Sequence, residues 1–503
     1  MREFGTMEDF DRLLKEIHKR EMRLVLDLVV NHTSDEHPWF EEARKSRHNP
    51  YYNYSPLGGR PEKGEPPLRL SYFDEEGNAW TYNKSTDSYY LHYFSRKQPD
   101  LNWENPEVRQ EIFDMMRFWF DKGIDGFRMD SISLIAKDPS FPLIDSKKYP
   151  DIFSFYAKEP RLHLYLHEMN RQVLSKYDCM SVGEGSAVMV DDVAKFVDPA
   201  REELNMLYHF DAARIRNTTL PDNPESGIDY SLIALKKMFT EWDKAVDKGW
   251  PSIYLGNHDQ PRMVSRFGSD KDEFRALSAK MLITFLLTMR GTPYWFAGDE
   301  IGMRNIRFDR IEDYNDIDTI NRYKKAKAEG KDPQAVLDEQ KETGRDNART
   351  PFQWDRSPEA GFTAGTPWLK VNPDYTWINV ADEEKDPTSI LNYFKKVVSF
   401  RKENPSLIYG SYHLLDAENP QSYTFLRKTG ADTYLIMLNF SPKAAISTPG
   451  IDMSNAHVLL DNYGDRSHMA PQKDITLRPF EAIVFQLNHP VYESFIDSLD
   501  LLE

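Results

Sequence analysis

The residues Leu24-Val25-Leu26-Asp27-Leu28-Val29-Val30 form an apolar run that ends at Asn31-His32. The run does not alternate between apolar and polar positions, which is typical of a strand buried on both faces of a parallel sheet. Just before it, apolar residues recur at helical spacing, so residues 7–20 are predicted to form an amphipathic helix. A helix followed at once by such a strand indicates an α/β protein.

The same alternation returns further along the chain. Residues 33–100 interrupt it and are rich in Tyr, Pro, Gly and charge, so they are predicted to be an irregular excursion. Beyond them, helices and strands alternate again, with strands predicted at 126–130, 180–184, 205–210, 252–257 and 292–298. Repeated strand–helix alternation over this length favours a (β/α)8 TIM barrel over an open sheet.

The pattern changes after a predicted helix at 389–402. Extended runs separated by turn residues follow, and they predict a C-terminal β-sandwich. The predicted domains are a barrel from residues 1–32 and 101–411, an inserted domain B at 33–100 after strand 3, the β-sandwich at 412–489, and a tail at 490–503.

Only six barrel strands can be predicted, whereas closure of this barrel needs eight. The chain also opens with a helix, and a barrel without two strands would leave two edges unpaired. We therefore expect that the first strands are missing because an upstream segment is absent from this chain. The alternative is a fold that is not a closed barrel.

Composition excludes several classes of protein. The chain has 503 residues and a net charge of −17 without a basic run, which argues against a nucleic-acid partner. The longest apolar stretch, near Met281–Met289, is too short to cross a membrane. Cys179 is the sole cysteine, so no internal disulfide can form, and a reducing, cytoplasmic location is predicted.

Four polar residues stand at the carboxyl ends of predicted strands: His32, Asp130, Glu184 and Asp259. In a (β/α)8 barrel this is where the reacting groups meet. Carboxylates beside an arginine and histidines, without cysteines at metal-binding spacing, suggest acid/base chemistry on a neutral substrate. Glycoside cleavage is a natural candidate, because one carboxylate attacks carbon while another protonates the leaving oxygen.

These stretches resemble the four signature regions of the α-amylase superfamily of glycoside hydrolases. They are Asp27–His32, Gly126–Asp130, the glutamate after Val182-Gly183, and Asn257-His258-Asp259. Three further stretches are similar to the oligo-1,6-glucosidase branch, namely Gln98–Asn102, Asn257–Arg262 and Arg345–Pro351. The resemblance extends from Met1 to about residue 487.

The resemblance implies catalytic roles for three carboxylates. Asp130 is expected to be the nucleophile, with Arg128 nearby on the same strand face favouring its ionised form. Glu184 is expected to be the acid/base and must start the reaction protonated. Asp259 is expected to hold the 2- and 3-hydroxyls of the sugar. The structural alternatives are a helix cap for Asp130, a salt-bridged barrel residue for Glu184, and a loop cap for Asp259.

The resemblance also implies a set of substrate-binding residues. His32 and His258 are expected to donate hydrogen bonds to sugar hydroxyls, and Arg345 to fix the non-reducing glucose. Arg349 is expected either to bind substrate or only to support its loop. The remaining expected pocket residues are Phe94, Gln98, Arg128, Ser131 and Gln260.

Together these residues predict a retaining, exo-acting α-glucosidase that acts on isomalto- and malto-oligosaccharides, and on sucrose as a further option. Retention requires the carboxyl groups of Asp130 and Glu184 to lie roughly 5 Å apart. As the family is known, the residue after the nucleophile is commonly Val in α-1,6-specific members and Thr or Ala in others. Ser131 matches neither pattern and leans toward α-1,4 or mixed specificity.

Several alternatives stay open at this stage. They are a trehalose-6-phosphate hydrolase, a sucrose-active relative, and an inactive, truncated or binding-only homologue. No cofactor is predicted. Ca²⁺ is possible in the family, but its loop and an aspartate–tyrosine pair are absent from this chain. The expected partner is a small oligosaccharide, with no nucleic acid and no membrane, and the oligomeric state is left open.

Overall fold

Two units make up the chain in this computed structural model. The first comprises residues 1–210 and 245–250, and the second comprises residues 211–244 and 251–503. The structure describes residues 4–55, 57, 58, 64, 66–73, 77–145, 147, 152–430, 432–467 and 473–487. The predicted tail at 490–503 and the last two residues of the predicted β-sandwich lie outside the described residues.

The first unit begins with the predicted amphipathic helix. Thr6 and Asp9 cap it reciprocally, because the Thr6 side chain accepts the Asp9 N–H while the Asp9 side chain accepts the Thr6 N–H. The helices of this unit are α1 Met7–Lys19, α2 Pro38–Ala43, α3 Pro106–Lys122, α4 Ile152–Tyr156, α5 Arg161–Gln172 and α6 Ala194–Val197. Its strands are β1 Val25–Val29, β2 Leu57–Gly58, β3 Trp80–Asn83, β4 Ser88–Leu91, β5 Gly126–Asp130, β6 Met180–Gly185 and β7 Met206–His209.

Four of these strands form a parallel sheet in the order β1-β5-β6-β7, which confirms the strands predicted there. The expectation that β1 is buried on both faces is wrong, because Asp27 and Val29 are exposed. The register sets Asp27 beside Arg128, Val29 beside Asp130, and Glu184 beside Tyr208. Parallel strands end at the same edge, so Asp130 and Glu184 stand at the carboxyl ends of neighbouring strands.

The excursion at 33–100 is more regular than its composition suggests. β2, β4 and β3 form a small antiparallel sheet in that order. Trp80, Leu91 and Tyr93 are buried in a cluster that also contains Tyr156. Aromatic side chains, rather than a long apolar run, build this core, which is why strand periodicity does not stand out in the sequence.

The second unit continues the strand–helix alternation. Its helices are α7 Asp211–Thr218, α8 Leu232–Ala245, α9 Met263–Phe267, α10 Arg275–Thr288, α11 Ile317–Ala328, α12 Pro333–Thr343, α13 Val380–Glu383, α14 Ile390–Glu403 and α15 Ser406–Tyr409. The last residue of α8 belongs to the first unit. Strands β8 Ser252–Ile253 and β9 Thr292–Pro293 pair in parallel. They are shorter than predicted, and Pro293 has no N–H to donate to the ladder.

Helix α10 explains the longest apolar stretch of the sequence. Nearly every side chain from Ser278 to Thr288 is buried, so this helix is apolar all round because it is a core helix. In the part of the chain that the structure describes, no helix has the length and apolar character needed to cross a membrane.

The chain then forms the predicted antiparallel region. Its strands are β10 Ser411–Leu415, β11 Ser422–Thr429, β12 Asp432–Asn439, β13 Ala445–Ser447, β14 Ala456–Asp461, β15 Ile475–Leu477 and β16 Ala482–Leu487. One sheet has the order β10-β11-β12-β16-β14, and β13 pairs with β15. The extended run predicted at 475–487 is two strands in two sheets, because the chain turns at Phe480, whose φ is 50°.

A buried lysine fastens helix α8 to the turn between β10 and β11. Lys236 Nζ donates to the backbone oxygens of Asp416, Asn419 and Ser422 at 3.0, 2.8 and 3.2 Å. The lysine is completely buried. Three carbonyl acceptors replace the water that its ammonium group loses on burial.

Candidate active site

Arg128 connects the two carboxylates that the sequence assigns to catalysis. Its Nη1 donates to Asp130 Oδ1 and to Asp27 Oδ1, both at 2.7 Å. Its Nη2 lies 3.1 Å from Glu184 Oε2. Its Nε and Nη2 also donate to the hydroxyl of Tyr208 at 2.8 and 2.6 Å. One guanidinium therefore contacts the predicted nucleophile and the predicted acid/base together.

The position of Arg128 follows from the sheet. Residues two apart on a strand point to the same face, so Arg128 and Asp130 share a face of β5. Burial works against the charge of Arg128, but Glu184, Tyr208, Asp27 and Asp130 around it raise the pKa of its guanidinium above the ordinary arginine value. The arginine therefore stays charged and can neutralise both carboxylates.

Glu184 has a second donor from the chain itself. Its Oε2 accepts the backbone N–H of Ser131 at 2.7 Å, and the Ser131 hydroxyl lies 3.4 Å away. Ser131 has a φ of 44°, in the left-handed region that residues with a side chain rarely adopt. That turn of the backbone directly after β5 is what aims the N–H of Ser131 at Glu184.

The two carboxylates differ in burial. The Asp130 side chain is 21% exposed and the Glu184 side chain 7% exposed. Burial disfavours a charged carboxylate and solvent contact favours it. The residue expected to be the nucleophile is thus the more exposed of the two, and the residue expected to be the acid/base is the more buried.

His32, Phe94 and Gln98 come together in the same unit, as predicted. His32 Nε2 lies 3.1 Å from Gln98 Nε2, and the His32 ring lies 5.1 Å from the Phe94 ring. Burial lowers the pKa of His32, although Asp100 and Asp130 act in the opposite direction. His32 is thereby held neutral at physiological pH.

A buried ion pair beneath this group was not predicted from the sequence. Lys137 Nζ lies 3.1 Å from Asp100 Oδ2 and donates to Asn31 Oδ1 at 2.7 Å. Asp100 pairs with His32 through a backbone bridge, and Asn31 contacts the His32 ring. Lys137 and Tyr208 carry no local motif, so only their positions in the fold disclose them.

The second unit gathers the remaining predicted residues around Asp259. Asp259 Oδ1 accepts from Arg349 Nη2 at 2.7 Å and from Arg345 Nη1 at 3.3 Å. Asp259 Oδ2 lies 3.4 Å from His258 Nε2. Arg349 also donates from Nε to the backbone oxygen of His258 at 2.8 Å, so it contacts both residues of the motif.

A further carboxylate that was not predicted, Asp316, pairs with this arginine pair, and Asp346 in turn holds the backbone at Asp316. Arg345 Nη2 forms an ion pair with Asp316, which caps the N-terminus of α11. Asp346 accepts the backbone N–H groups of Asn315 and Asp316 at 2.7 and 2.9 Å. Asp316 is almost fully buried, so it fixes the direction of Arg345.

Gln260 follows Asp259 and bonds to a buried arginine rather than to a carboxylate. Arg266 Nη1 donates to Gln260 Oε1. Arg266 Nη2 donates to the Ala213 backbone oxygen at 2.9 Å and to Asn217 Oδ1 at 3.2 Å. Gln260 is itself half-buried, whereas Arg266 is only 5% exposed.

A cavity of about 400 Å³ lies beside Arg349 in the second unit. Its walls include Phe296, Phe352, Phe362, Trp368 and Thr350. Trp368 is largely exposed and packs edge to face on Phe362 at 5.0 Å. Aromatic faces beside polar groups suit the flat, hydroxyl-rimmed face of a sugar ring.

Among the described residues, no three His, Cys, Asp or Glu side chains are grouped so that they could hold an ion. No residue is therefore assigned to the Ca²⁺ that is possible in the resembled family.

Comparisons with known proteins agree with this architecture. Residues 1–410 match the family described as "Alpha amylase, catalytic domain". An oligo-1,6-glucosidase of Parageobacillus thermoglucosidasius is 49% identical, with 97% of this chain and 87% of the relative covered. A trehalose-6-phosphate hydrolase of Bacillus subtilis (strain 168) is 40% identical, with 97% and 86% covered.

Solved structures give the same picture of the fold. An isomaltulose synthase variant from Erwinia rhapontici NX5, in complex with its natural substrate sucrose, superposes with a TM-score of 0.90. Its sequence identity is 39%, and the match covers 97% of this chain and 87% of that chain. The expected (β/α)8 class with a C-terminal antiparallel region is thereby confirmed.

Proposed function

This chain belongs to the α-amylase family of glycoside hydrolases, and from that premise we propose how it acts. It is an α-glucosidase of the oligo-1,6-glucosidase type that releases glucose from the non-reducing ends of short α-linked oligosaccharides with retention of configuration. The observation that carries the mechanism is the Arg128 guanidinium, which contacts Asp130 and Glu184 at once. Two carboxylates drawn to one small cation lie close together, as covalent retention requires.

Asp130 attacks the anomeric carbon while Glu184 donates its proton to the departing glycosidic oxygen. The C–O bond breaks as a bond from Asp130 Oδ to carbon forms, giving a β-linked glucosyl-enzyme. Glu184, now ionised, removes a proton from water, and that water displaces Asp130. Arg128 stabilises the Asp130 carboxylate before attack and after release.

The remaining site residues bind the sugar. Asp259 accepts from the 2- and 3-hydroxyls, and Arg345 and Arg349 hold its carboxylate in place. Neutral His32 hydrogen-bonds to a sugar hydroxyl, with Gln98 and Phe94 fixing its orientation. None of these steps uses a cofactor, because carboxylates supply both the nucleophile and the proton.

Linkage preference is proposed to be mixed. Ser131 lies against Glu184, on the side where the leaving group is protonated. A small hydroxyl can donate to either an α-1,4- or an α-1,6-linked leaving sugar, whereas Val cannot donate to either. We therefore expect Ser131→Val to raise the ratio of isomaltose to maltose kcat/KM by roughly 10-fold.

The proposed location is the cytoplasm, which the single cysteine in 503 residues supports. The proposed partner is a small oligosaccharide.

The function is tested by incubating the purified protein with isomaltose, maltose, sucrose and trehalose 6-phosphate and measuring released glucose. NMR of the first product should show α-glucose ahead of mutarotation. Asp130→Asn should lose at least about 1,000-fold in kcat, as other enzymes do when their nucleophile is removed. Initial release of β-glucose, or an active Asp130→Asn protein, would contradict the mechanism.

The substrate panel also separates the second candidate function. The 40% identity to a trehalose-6-phosphate hydrolase is the observation that favours it. Turnover of trehalose 6-phosphate alone would assign that function and reject the oligosaccharide substrates.

A further inference from the structure

Arg266 is a buried cation bonded to neutral oxygens. Its three hydrogen-bond acceptors are the Gln260 amide, a backbone oxygen and the Asn217 amide. Among the residues that the structure describes, no carboxylate forms an ion pair with it. Burial and the neighbouring Arg216 lower the pKa of Arg266 to about 10, so it is nevertheless charged at neutral pH.

This contact fixes the direction of the Gln260 amide. A guanidinium has donors and no acceptor, so the amide atom that faces Arg266 must be the oxygen Oε1. The two N–H groups on Nε2 therefore point away from Arg266. The described residues provide no acceptor for them, and Gln260 is only half-buried.

We propose that Arg266 is a positioning residue that holds Gln260 so that its amide N–H groups donate to a sugar hydroxyl beside Asp259. This deepens the proposed function and rests on it. Arg266 also reaches Ala213 and Asn217, both in α7, so α7 and the Asn257–Arg262 loop are joined through one guanidinium.

The side-chain length of Gln260 is part of the proposal. Asn has one methylene fewer than Gln and cannot place its oxygen on Arg266 from the same backbone position. An asparagine there leaves the buried cation with one acceptor fewer and frees its own amide to turn. The Gln260–Arg266 contact therefore depends on the length of the glutamine side chain as well as on its amide group.

Gln260→Glu tests this with nearly no change in shape. Glu places a carboxylate on the buried cation, so the melting temperature should rise by about 1–2 °C. The same change removes the N–H donors, so kcat/KM on isomaltose and maltose should fall about 10-fold. A gain in stability together with a loss of activity is not expected if Gln260 serves only to satisfy Arg266.

Asn217→Asp is the matched control. It also places a carboxylate against Arg266, on an exposed residue of α7, and it leaves the Gln260 amide intact. Its kcat/KM should stay within twofold of the wild type. Arg266→Met should lower kcat/KM about as much as Gln260→Ala, and the double variant no further, because both changes remove one interaction.

The outcomes separate this proposal from the proposed function. Wild-type kcat/KM retained within twofold in Gln260→Glu would overturn the positioning role while leaving the α-glucosidase assignment in place. Fully additive losses in the double variant would do the same. If Arg266→Met fails to fold, Arg266→Lys replaces it and should keep part of the activity. A wild-type protein without turnover on any α-glucoside overturns both.

Discussion

At the residue scale, the site depends on the fork geometry of Arg128. The planar guanidinium reaches Asp130 through Nη1 and Glu184 through Nη2, while Nε is left for Tyr208. A lysine has the same charge but offers it from one point, so it cannot keep two carboxylates at set positions. A positive charge at position 128 is therefore not enough to hold both carboxylates in place.

Arg128→Lys is expected to lower kcat at least about 100-fold, because Asp130 and Glu184 lose the guanidinium that contacts both of them. Steady-state kinetics on isomaltose measure the loss. Arg109→Lys is the control, since Arg109 has the same 17% side-chain exposure and forms an ion pair with Glu168 at 2.7 Å. Equal losses in both variants would show that only general stability was affected.

His32 makes the stability of the protein dependent on pH. Burial lowers its pKa in the folded chain, so the unfolded chain takes up a proton at higher pH than the folded chain does. The free energy of unfolding therefore decreases as pH falls below the ordinary histidine value of about 6.5, by at most about 1.4 kcal/mol per pH unit from this group.

His32→Gln should reduce that dependence. Urea unfolding at pH 7.5, 6.5 and 5.5 should show a smaller loss of stability in the variant than in the wild type. Parallel curves for the two proteins would mean that His32 is not the source of the effect.

The residues of the site divide into those that motifs disclose and those that only the fold discloses. Asp130, Glu184 and Asp259 lie in continuous motifs, so the sequence predicts them. Tyr208 and Asp316 reach the same groups from distant segments and depend on strand register and helix capping, which have no local signature.

At the scale of elements, helix α8 and the β10–β11 turn are joined by one side chain. Lys236 donates to three backbone oxygens and has no exposed surface. The element boundary at this turn is consequently held by a specific polar contact as well as by apolar packing.

Lys236→Met should lower the free energy of unfolding by about 3 kcal/mol, because buried carbonyl groups lose their donor. Denaturant unfolding measures the change. Lys237→Met is the control on the next residue of the same helix, since Lys237 is 74% exposed and should change stability by less than about 0.5 kcal/mol. A Lys236→Met protein as stable as this control would contradict the claim that Lys236 stabilises the contact between α8 and the β10–β11 turn.

Periodicity predicts the elements better than their ends. Strands β1, β5, β6 and β7 were predicted almost to the residue. Strands β8 and β9 are shorter than predicted, and the run at 475–487 is broken by Phe480. A proline and one residue at positive φ override the apolar pattern there.

At the scale of the whole molecule, the 503-residue chain contains a single cysteine, Cys179. Cys179 is half-buried, and burial together with Asp178 raises its pKa to about 11. It lies directly before β6, the strand that carries Glu184. Its reactivity therefore reports on the opening of that strand.

A thiol reagent such as DTNB should label Cys179 about 100-fold more slowly in the native protein at pH 8 than in the urea-unfolded protein, because so little thiolate is present. The time course of absorbance measures both rates. Dithiothreitol should leave the melting temperature unchanged, since one cysteine cannot form an internal disulfide. Native labelling at the unfolded rate would contradict this assignment.

The backbone hold on Glu184 has a consequence for variation at position 131. Glu184, the proposed acid/base, accepts from the amide of the peptide bond that follows Asp130, and every amino acid except proline supplies that group. A replacement at 131 keeps that amide aimed at Glu184 only if the new residue adopts the same left-handed backbone, which proline cannot do.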